Sequence, residues 1–173
     1  MGTSLLHGKR MLAVDDEPDI LDVLKEDLEK YGVALDTASS YEVGFQKLSS
    51  YTYDLVILDI MGVRGFDLLM FASSQKTPVV MLTAHSLNPE SLKKAIELGA
   101  RAYVPKDEID RIAPFIEDVL TLSYQAAWKS LFETLGGFFG RRFGPQWRKS
   151  EKEFWNKFEA DLNQVTESTI INR

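Results

Sequence analysis

Short apolar runs alternate along the chain with longer segments in which apolar residues recur at helical spacing. Residues 55–58 form a continuous apolar run bounded by Asp54 and Gly62, which is typical of a central strand covered on both faces. Four further runs predict strands, and helices are predicted between them. The predicted strands are residues 11–14, 33–35, 55–58, 79–82 and 102–104. The alternation predicts an α/β fold with a doubly wound, five-stranded parallel sheet and helices on both faces.

Helix starts and apolar stripes place five helices after these strands. Pro18 suits the first turn of the first helix, Ser40 is predicted to cap the second, and Asp110 is predicted to cap the fifth. Pro114 is tolerated in the fifth helix because it lies near the first turn. The residues expected to face the core are Ile20, Val23, Leu24 and Leu28; Val43, Phe45 and Leu48; Phe66, Leu68, Leu69 and Phe71; Leu92, Ala95, Ile96 and Leu98; and Ile112, Phe115, Ile116, Val119 and Leu120.

Aromatic residues crowd residues 123–173, which hold all three tryptophans. Helical spacing continues from the fifth helix to Leu135, where Gly136 and Gly137 are predicted to stop it. A second tail helix is predicted after Pro145. The tail is therefore expected to be a helical hairpin, with Trp128, Phe132, Trp155 and Phe158 in one cluster between its helices or across a dimer, and with Leu162 and Val165 on the second helix.

These patterns divide the chain into an N-terminal tail at residues 1–8, an α/β domain at 9–122 and a helical C-terminal extension at 123–173. The 173 residues are 45% hydrophobic, which is enough for a core. There is no apolar run of about 18 residues and no export signal, so a cytoplasmic location is expected. With no cysteine and two distant histidines, disulfides, thiolate catalysis and cysteine-based zinc sites are excluded.

Charge is unevenly distributed between the two parts of the chain. Residues 1–120 hold 12 basic and 20 acidic side chains, whereas residues 121–173 hold 8 basic and 6 acidic ones. The acidic first part argues against nucleic-acid binding there. The slight positive balance of the second part is too small to bind phosphates by itself.

Reactive side chains follow four of the predicted strands. Asp15 and Asp16 come after the first, Asp59 after the third, Thr83 after the fourth and Lys106 after the fifth. The carboxyl ends of parallel strands meet at one edge of a sheet. Clustered carboxylates need a counter-charge, and Mg²⁺ prefers oxygen ligands. A lysine and a hydroxyl facing them could stabilise charge on a transferring phosphoryl group.

With these residues the chain resembles, over about residues 9–122, the receiver domain of response regulators, which act in two-component phosphorelays and have a flavodoxin-like fold. The resemblance implies that Asp59 accepts a phosphoryl group from a sensor histidine kinase or phosphotransfer protein. It also implies that Asp16 and Asp59 bind Mg²⁺ directly, together with the Met61 carbonyl, and that Asp15 helps through water. Such a receiver catalyses its own phosphoryl transfer and is not otherwise an enzyme.

The resemblance gives four more residues a role. Lys106 would pair with the phosphoryl group or the carboxylate, Thr83 would move to bond a phosphoryl oxygen, and Tyr103 would turn inward into the space vacated. His85, two residues after Thr83, would lie beside the phosphoryl group as a modulator, although a loop histidine without function fits the sequence equally well.

Two segments depart from the family's pattern. The family places a glycine eight residues after the acceptor, whereas here Gly65 lies six after Asp59, so the loop is two residues shorter. The family's Lys-Pro is inverted to Pro105-Lys106. A cis bond after Lys106 would then be a non-proline one, unless the loop takes another route. The first departure bears on the metal geometry and the second on the reach of the lysine.

The extension is predicted to be an interaction module that contacts the receiver, a second copy in a homodimer, or a downstream protein. A DNA-binding output is disfavoured because its second helix alternates Lys and Glu and has no basic face. A membrane-surface output is the rival, since residues 138–143 mix aromatics with arginines, but acids on the second helix oppose it. Neither nucleic acid nor a membrane is thus the expected partner. A flavin-binding protein on the same fold would be opposed by the acidic strand ends.

Overall fold

Five parallel strands form one sheet in the order β2-β1-β3-β4-β5. The computed structural model describes residues 4–84, 88–149 and 151–163. The strands are β1 Arg10–Val14, β2 Ala34–Ala38, β3 Leu55–Asp59, β4 Val79–Thr83 and β5 Ala102–Pro105. The helices are α1 Pro18–Glu29, α2 Tyr41–Ser50, α3 Gly65–Ser74, α4 Pro89–Glu97, α5 Ile112–Thr121, α6 Tyr124–Phe143 and α7 Lys152–Asn163, with 3₁₀ turns at Lys106–Arg111 and Trp147–Lys149.

The doubly wound parallel sheet with helices is the fold that the alternating pattern predicts. β1 pairs in parallel with both β2 and β3, so the chain reverses its direction of travel across the sheet at β1. The crevice at this reversal, outside the carboxyl ends of β1 and β3, is where doubly wound proteins bind ligands. β3 and β4 are buried along their whole length, as their continuous apolar runs predict.

The second strand lies further along the chain than predicted. It runs from Ala34 to Ala38, and Val33 precedes it. The strand lies at one edge of the sheet, where Asp36 and Thr37 are half-buried. The prediction stopped before Asp36 and Thr37 because it relied on apolar residues, whereas an edge strand needs no continuous apolar run.

The predicted core face of α1 is wrong at one position. Val23 is 41% exposed, and Leu21, Leu24 and Leu28 are the buried residues. Leu21 and Leu24 are three residues apart and Leu28 lies one turn further on, so these three share a stripe from which Val23 is rotated away.

The predicted core face of α2 is also wrong at two of its three positions. Val43 is 39% exposed and Phe45 is 38% exposed, whereas Gly44 and Leu48 are buried. A Cβ atom at Gly44 would lie 3.0 Å from Cγ1 of Val14 on β1. The glycine therefore faces the sheet and lets the helix approach closely, which turns its larger neighbours outward. The Ser40 cap is confirmed, since its hydroxyl accepts from the Val43 N–H at 3.2 Å.

The remaining helix faces follow the prediction closely. Leu68 and Leu69 of α3, Leu92, Ala95 and Ile96 of α4, and Ile112, Phe115, Ile116 and Val119 of α5 are buried; Phe66, Phe71, Leu98 and Leu120 are half-buried against the core.

The Asp110 cap is wrong. A 3₁₀ turn fills the space between β5 and α5, and α5 begins after Arg111 without a side-chain cap. Pro114 is the third residue of α5, which agrees with its predicted place in the first turn. Within the described ranges all peptide bonds are trans, so the loop after Lys106 takes the other route that the sequence left open.

The prediction that the extension continues the fifth helix is wrong, because α5 ends at Thr121 and a separate helix begins at Tyr124. Leu122 is extended, and the Ser123 hydroxyl caps a new helix by accepting from the Ala126 N–H at 3.2 Å. The predicted stop at Gly136 and Gly137 is also wrong, since α6 passes through both and ends before Gly144. A glycine inside a helix costs only about 1 kcal/mol, and the burial of neighbouring apolar residues offsets this.

The four tail aromatics cluster within one chain. Trp128 contacts Phe132 and Phe158 at ring-centroid distances of 5.9 and 6.0 Å. Phe158 also contacts Phe132 at 5.8 Å and Trp155 at 6.0 Å. α6 and α7 therefore form the predicted hairpin around a shared ring cluster. Leu162 is buried on α7, and Val165 lies outside the described residues.

The hairpin packs against the α/β domain. The Trp128 indole is fully buried and donates to the Ala100 carbonyl, just before β5, at 3.1 Å. Phe139 is equally buried and contacts the Tyr103 ring of β5 at 6.0 Å. Lys93 of α4 pairs with Glu151 at 2.8 Å. The hairpin thus covers the side of the domain that α4, β5 and α5 form.

Candidate functional site

Two buried carboxylates face each other across the crevice between β1 and β3. Asp15 follows β1 directly and is 1% exposed, and Asp59 is the last residue of β3 and is 5% exposed. The two strands pair with Val14 opposite Leu58, so the next residue of each strand lies at the same edge. The structure therefore brings Asp15 and Asp59 together as the strand-end pattern predicts.

Lys106 joins this pair from the end of β5. Its amine lies 2.6 Å from Glu17 Oε1, 2.9 Å from Asp15 Oδ2 and 3.2 Å from Asp59 Oδ1. The predicted contact between Lys106 and the Asp59 carboxylate is present, so the Pro105-Lys106 inversion does not prevent the lysine from reaching the site. One cation thus faces three carboxylates.

The pKa values of these groups reflect the crowding of charge. Burial raises the pKa of Asp59 to about 6, the charge of Asp15 adds to the shift, and Lys106 opposes it. Burial also raises the pKa of Asp15, although the Glu17 N–H and Lys106 act in the opposite direction. Burial alone would lower the pKa of the Lys106 amine, but its hydrogen bonds to Glu17 and Asp15 outweigh that effect and raise it. The site therefore favours additional positive charge.

Glu17 is the residue of the site that sequence reasoning missed. Its backbone N–H donates to Asp15 Oδ1 at 2.9 Å, and its carboxylate accepts the shortest of the Lys106 contacts. The available signal was its place directly after two acids at a strand end, before the proline that begins α1. Glu17 fixes both an acid and the lysine of the site.

The acidic residues after β1 offer a donor set that suits Mg²⁺. One carboxylate oxygen from each of Asp15, Asp16 and Glu17 lies within 4.8 Å of the others. Mg²⁺ selects oxygen ligands and keeps several waters, and the exposed position of Asp16 and Glu17 leaves room for water. These residues therefore fit a magnesium ion.

The shortened loop after Asp59 lies close to the Asp16 side chain and to the backbone of Asp59. Gly62 has a φ of +84°, and a Cβ atom there would lie 2.3 Å from Asp16 Oδ2. A Cβ atom at Gly65 would lie 2.0 Å from the Asp59 carbonyl oxygen. Both glycines are needed for this close approach. The Met61 side chain is 55% exposed, and the role of its carbonyl as a metal ligand stays a prediction.

Thr83 and Tyr103 form a buried polar group beside the carboxylates. Thr83 ends β4, one residue beyond the partner of Asp59, and is 1% exposed. Its hydroxyl faces the Tyr103 phenol, but among the described residues it has no hydrogen-bond partner at normal geometry. The phenol of Tyr103 lies 2.7 Å from Ser91 Oγ, and burial raises its pKa. Tyr103 already points inward, while His85 lies outside the described residues.

Comparisons with known proteins bear on the family and fold of the α/β domain. A family model described as "Response regulator receiver domain" matches residues 11–116. The alkaline phosphatase synthesis transcriptional regulatory protein PhoP of Bacillus subtilis is 36% identical over 105 residues, which cover 57% of this chain and 42% of that protein. The transcriptional regulatory protein CpxR of Escherichia coli is 35% identical over 105 residues, which cover 59% of this chain and 44% of that protein. The chain thus spans less than half the length of these two relatives.

Solved structures show the same fold. The receiver domain of NtrX from Brucella abortus has a TM-score of 0.58 and 32% identity, covering 64% of this chain and 97% of that one. The chemotaxis response regulator CheY4 of Vibrio cholerae has a TM-score of 0.59 and 24% identity, covering 65% of this chain and 98% of that one. The family match ends at residue 116 and leaves α6 and α7 outside it.

Proposed function

This chain belongs to the response regulator receiver family, and from that premise we propose that it accepts a phosphoryl group on Asp59 in a Mg²⁺-dependent reaction. The proposal includes a sensor histidine kinase or phosphotransfer protein as donor and a cytoplasmic location. It further includes signalling through protein contacts of the extension rather than through DNA. The observation that carries it is the buried Asp59 carboxylate, which faces Asp15 and Lys106 at the crevice between β1 and β3.

The chemistry proposed is an in-line displacement. An oxygen of the ionised Asp59 carboxylate forms a bond to phosphorus while the donor's phosphorus–nitrogen bond breaks, and the leaving imidazole takes a proton. With a pKa of about 6, Asp59 is already mainly ionised at neutral pH. Lys106 Nζ lies 3.2 Å from Asp59 Oδ1, close enough to reach the oxygens of the arriving phosphoryl group.

Magnesium would be held by Asp16 and Asp59 with the Met61 carbonyl, while Asp15 acts through water. When bound, the ion supplies positive charge to the phosphoryl oxygens. The Thr83 hydroxyl, which faces the Tyr103 phenol and makes no hydrogen bond of normal geometry among the described residues, would bond a phosphoryl oxygen. A movement of Thr83 toward the phosphoryl group would shift the packing of the buried Tyr103 ring. The Tyr103 ring would pass this shift to α6 through its contact with Phe139.

Protein contacts are favoured over lipid as the output because the extension uses its aromatics internally. Phe139 is fully buried, and Phe143 stacks on it at 5.6 Å and meets Trp147 at 5.2 Å. Little of this aromatic surface remains to enter a membrane, and no helix in the described part of the chain could cross one. A DNA-binding output is disfavoured because acids interrupt the basic residues of α7.

The proposal is tested by phosphorylation with acetyl phosphate, followed by phosphate-affinity electrophoresis and mass spectrometry. We expect one phosphoryl group on the wild-type chain with Mg²⁺, and none after addition of EDTA or in Asp59→Asn. Asp67→Asn, which removes an exposed acid paired with Arg64, is the matched control and should be phosphorylated normally. Equal labelling of Asp59→Asn, or labelling that survives EDTA, would show that the acceptor or the metal is wrongly assigned.

A further inference from the structure

A cleft of about 300 Å³ lies between the two tail helices, beside their ring cluster, and three rings of that cluster line it. Its wall on α6 is formed by Lys129, Phe132 and Glu133, and its wall on α7 by Trp155, Phe158 and Leu162. Trp155, Phe158 and Leu162 have less than a tenth of their surface exposed. The cleft thus has an apolar floor that the hairpin itself has already shaped.

Both walls of the cleft have helical spacing. The α6 residues are at positions i, i+3 and i+4, and the α7 residues at i, i+3 and i+7. Two helices whose facing stripes leave a groove between them offer the ridges into which a third helix packs. This is the geometry in which proteins bind an amphipathic helix by its apolar face.

The charges at the rim define the occupant more closely. Arg148 and Glu159 also line the cleft, and they pair with each other. Lys129 is half-buried, and neither it nor Glu133, one turn further along α6, has an ion-pair partner within residues 4–84, 88–149 and 151–163. An occupant that brings a carboxylate to Lys129 and a basic side chain to Glu133 would be complementary in charge to the α6 side of the rim. A rim with two bases and two acids does not suit a polyanion such as nucleic acid or an anionic lipid surface.

We propose that this cleft binds an amphipathic helix of a partner protein. A bulky apolar side chain of that helix enters the cleft, an acidic residue beside it meets Lys129, and a basic one meets Glu133. The proposal rests on the proposed function in one respect only, which is that the chain signals through protein contacts. It adds the place and the chemistry of that contact.

The cleft is linked to the candidate phosphorylation site by ring contacts. Phe132 on the cleft wall meets Phe139 at 5.7 Å, and Phe139 meets Tyr103 at 6.0 Å. Tyr103 in turn bonds to Ser91 and faces Thr83. A helix bound in the cleft would therefore touch one end of a packed series whose other end adjoins the acidic crevice.

The test begins with selection of binders from a library of helical peptides against the full-length, unphosphorylated chain. We expect the selected peptides to carry a large apolar residue flanked by an acidic one. Lys129→Glu should lower the affinity for the best peptide about tenfold. A peptide with that acidic residue changed to lysine should regain the lost affinity for the variant. The matched control is Lys157→Glu, the same charge reversal at an exposed position of α7 outside the cleft, which should change affinity by less than about twofold.

Several results would overturn the proposal. One is the absence of binders, and another is equal weakening by Lys129→Glu and Lys157→Glu. A third is binding that appears only after residues 164–173 are deleted, because the cleft would then belong to the chain's own terminal segment. Because the selection uses the unphosphorylated chain, its outcome does not depend on which residue accepts the phosphoryl group. Failure of the acceptor assignment and failure of the cleft are thereby distinguished.

Discussion

The α/β domain and the α6–α7 hairpin are held together in different ways. The domain has a ladder of parallel strands with aliphatic side chains packed on it, and its central strands are almost fully buried. The hairpin has two helices joined by aromatic ring contacts, and it covers its rings partly against the domain. The domain is therefore held chiefly by its own strand pairing and aliphatic packing, whereas the hairpin also depends on the domain surface beneath it, and both regions share one core.

Trp128 makes contacts with both the hairpin and the α/β domain. Its ring belongs to the hairpin cluster, its indole N–H bonds to Ala100 of the domain, and it has no exposed surface. Such a side chain couples the unfolding of one region to that of the other. Three substitutions, in order of decreasing effect on stability, test whether the domain and the hairpin are stabilised differently and whether they unfold together.

The largest effect is expected from Trp128→Ala. It leaves a large cavity and an unpaired Ala100 carbonyl, so we expect the free energy of unfolding to fall by about 3–5 kcal/mol in a single transition. Urea denaturation followed by circular dichroism measures this. Phe154→Ala, at a half-buried ring of α7, is the control and should cost less. A loss confined to a separate early transition, with the domain's midpoint unchanged, would show that the hairpin is an independent unit.

A smaller effect, limited to the domain, is expected from Asp59→Asn in metal-free buffer. The pKa of Asp59 is raised from its usual 3.8 to about 6 in the folded chain, so the folded state binds this proton more tightly than the unfolded state. The stabilisation of the folded state by this tighter proton binding is fully present below pH 4 and is lost as the pH rises through 6. Asn carries no charge, so the variant should be more stable than wild type at pH 7 by about 1–2 kcal/mol.

That difference should shrink below pH 4 and should also shrink when Mg²⁺ is added, because the ion would stabilise the ionised carboxylate. Thermal unfolding at several pH values, with EDTA or with Mg²⁺, measures both changes. Asp67→Asn serves again as the exposed control. A variant less stable than wild type at pH 7 in EDTA would mean that the contact with Lys106 outweighs burial of the charge.

The smallest effect is expected from Gly136→Ala in α6. A Cβ atom there has no neighbour within 4 Å, so alanine should raise stability by about 0.5–1 kcal/mol through its higher helix propensity. Chemical denaturation of the full chain is the measurement. The same change at Gly65, where a Cβ atom would meet the Asp59 carbonyl oxygen, should destabilise. If Gly136→Ala destabilises as well, α6 has a tighter neighbour at this point than the structure shows.

The sequence predicted the domain well because its main signals are local. Continuous apolar runs placed the central strands, and strand ends placed Asp15, Asp59, Thr83 and Lys106 at one edge. The errors on the domain arise from contacts between elements. Gly44 faces the sheet because Val14 lies opposite, and a helical pattern alone cannot show which small residue makes such an approach. Glu17 was missed for the same reason, since its role depends on a lysine 89 residues away.

For the hairpin the sequence predicted the elements but misplaced their ends. Gly136 and Gly137 are common helix terminators, yet α6 continues because Leu135 and Phe139 on either side are buried. The break after α5 was missed because Leu122 continues the apolar pattern while its backbone is extended. In both places tertiary packing overrides local preference.

The link between the two regions is only Leu122 and Ser123, since α5 ends at Thr121 and α6 begins at Tyr124. Two residues span at most about 7 Å, so a hairpin that loses its contacts with the domain cannot diffuse away from it. Its effective concentration at that surface stays in the millimolar range or above. An outside protein that competes for the same surface must therefore bind tightly or act while a ligand holds the hairpin away, and recapture of a released hairpin will be fast.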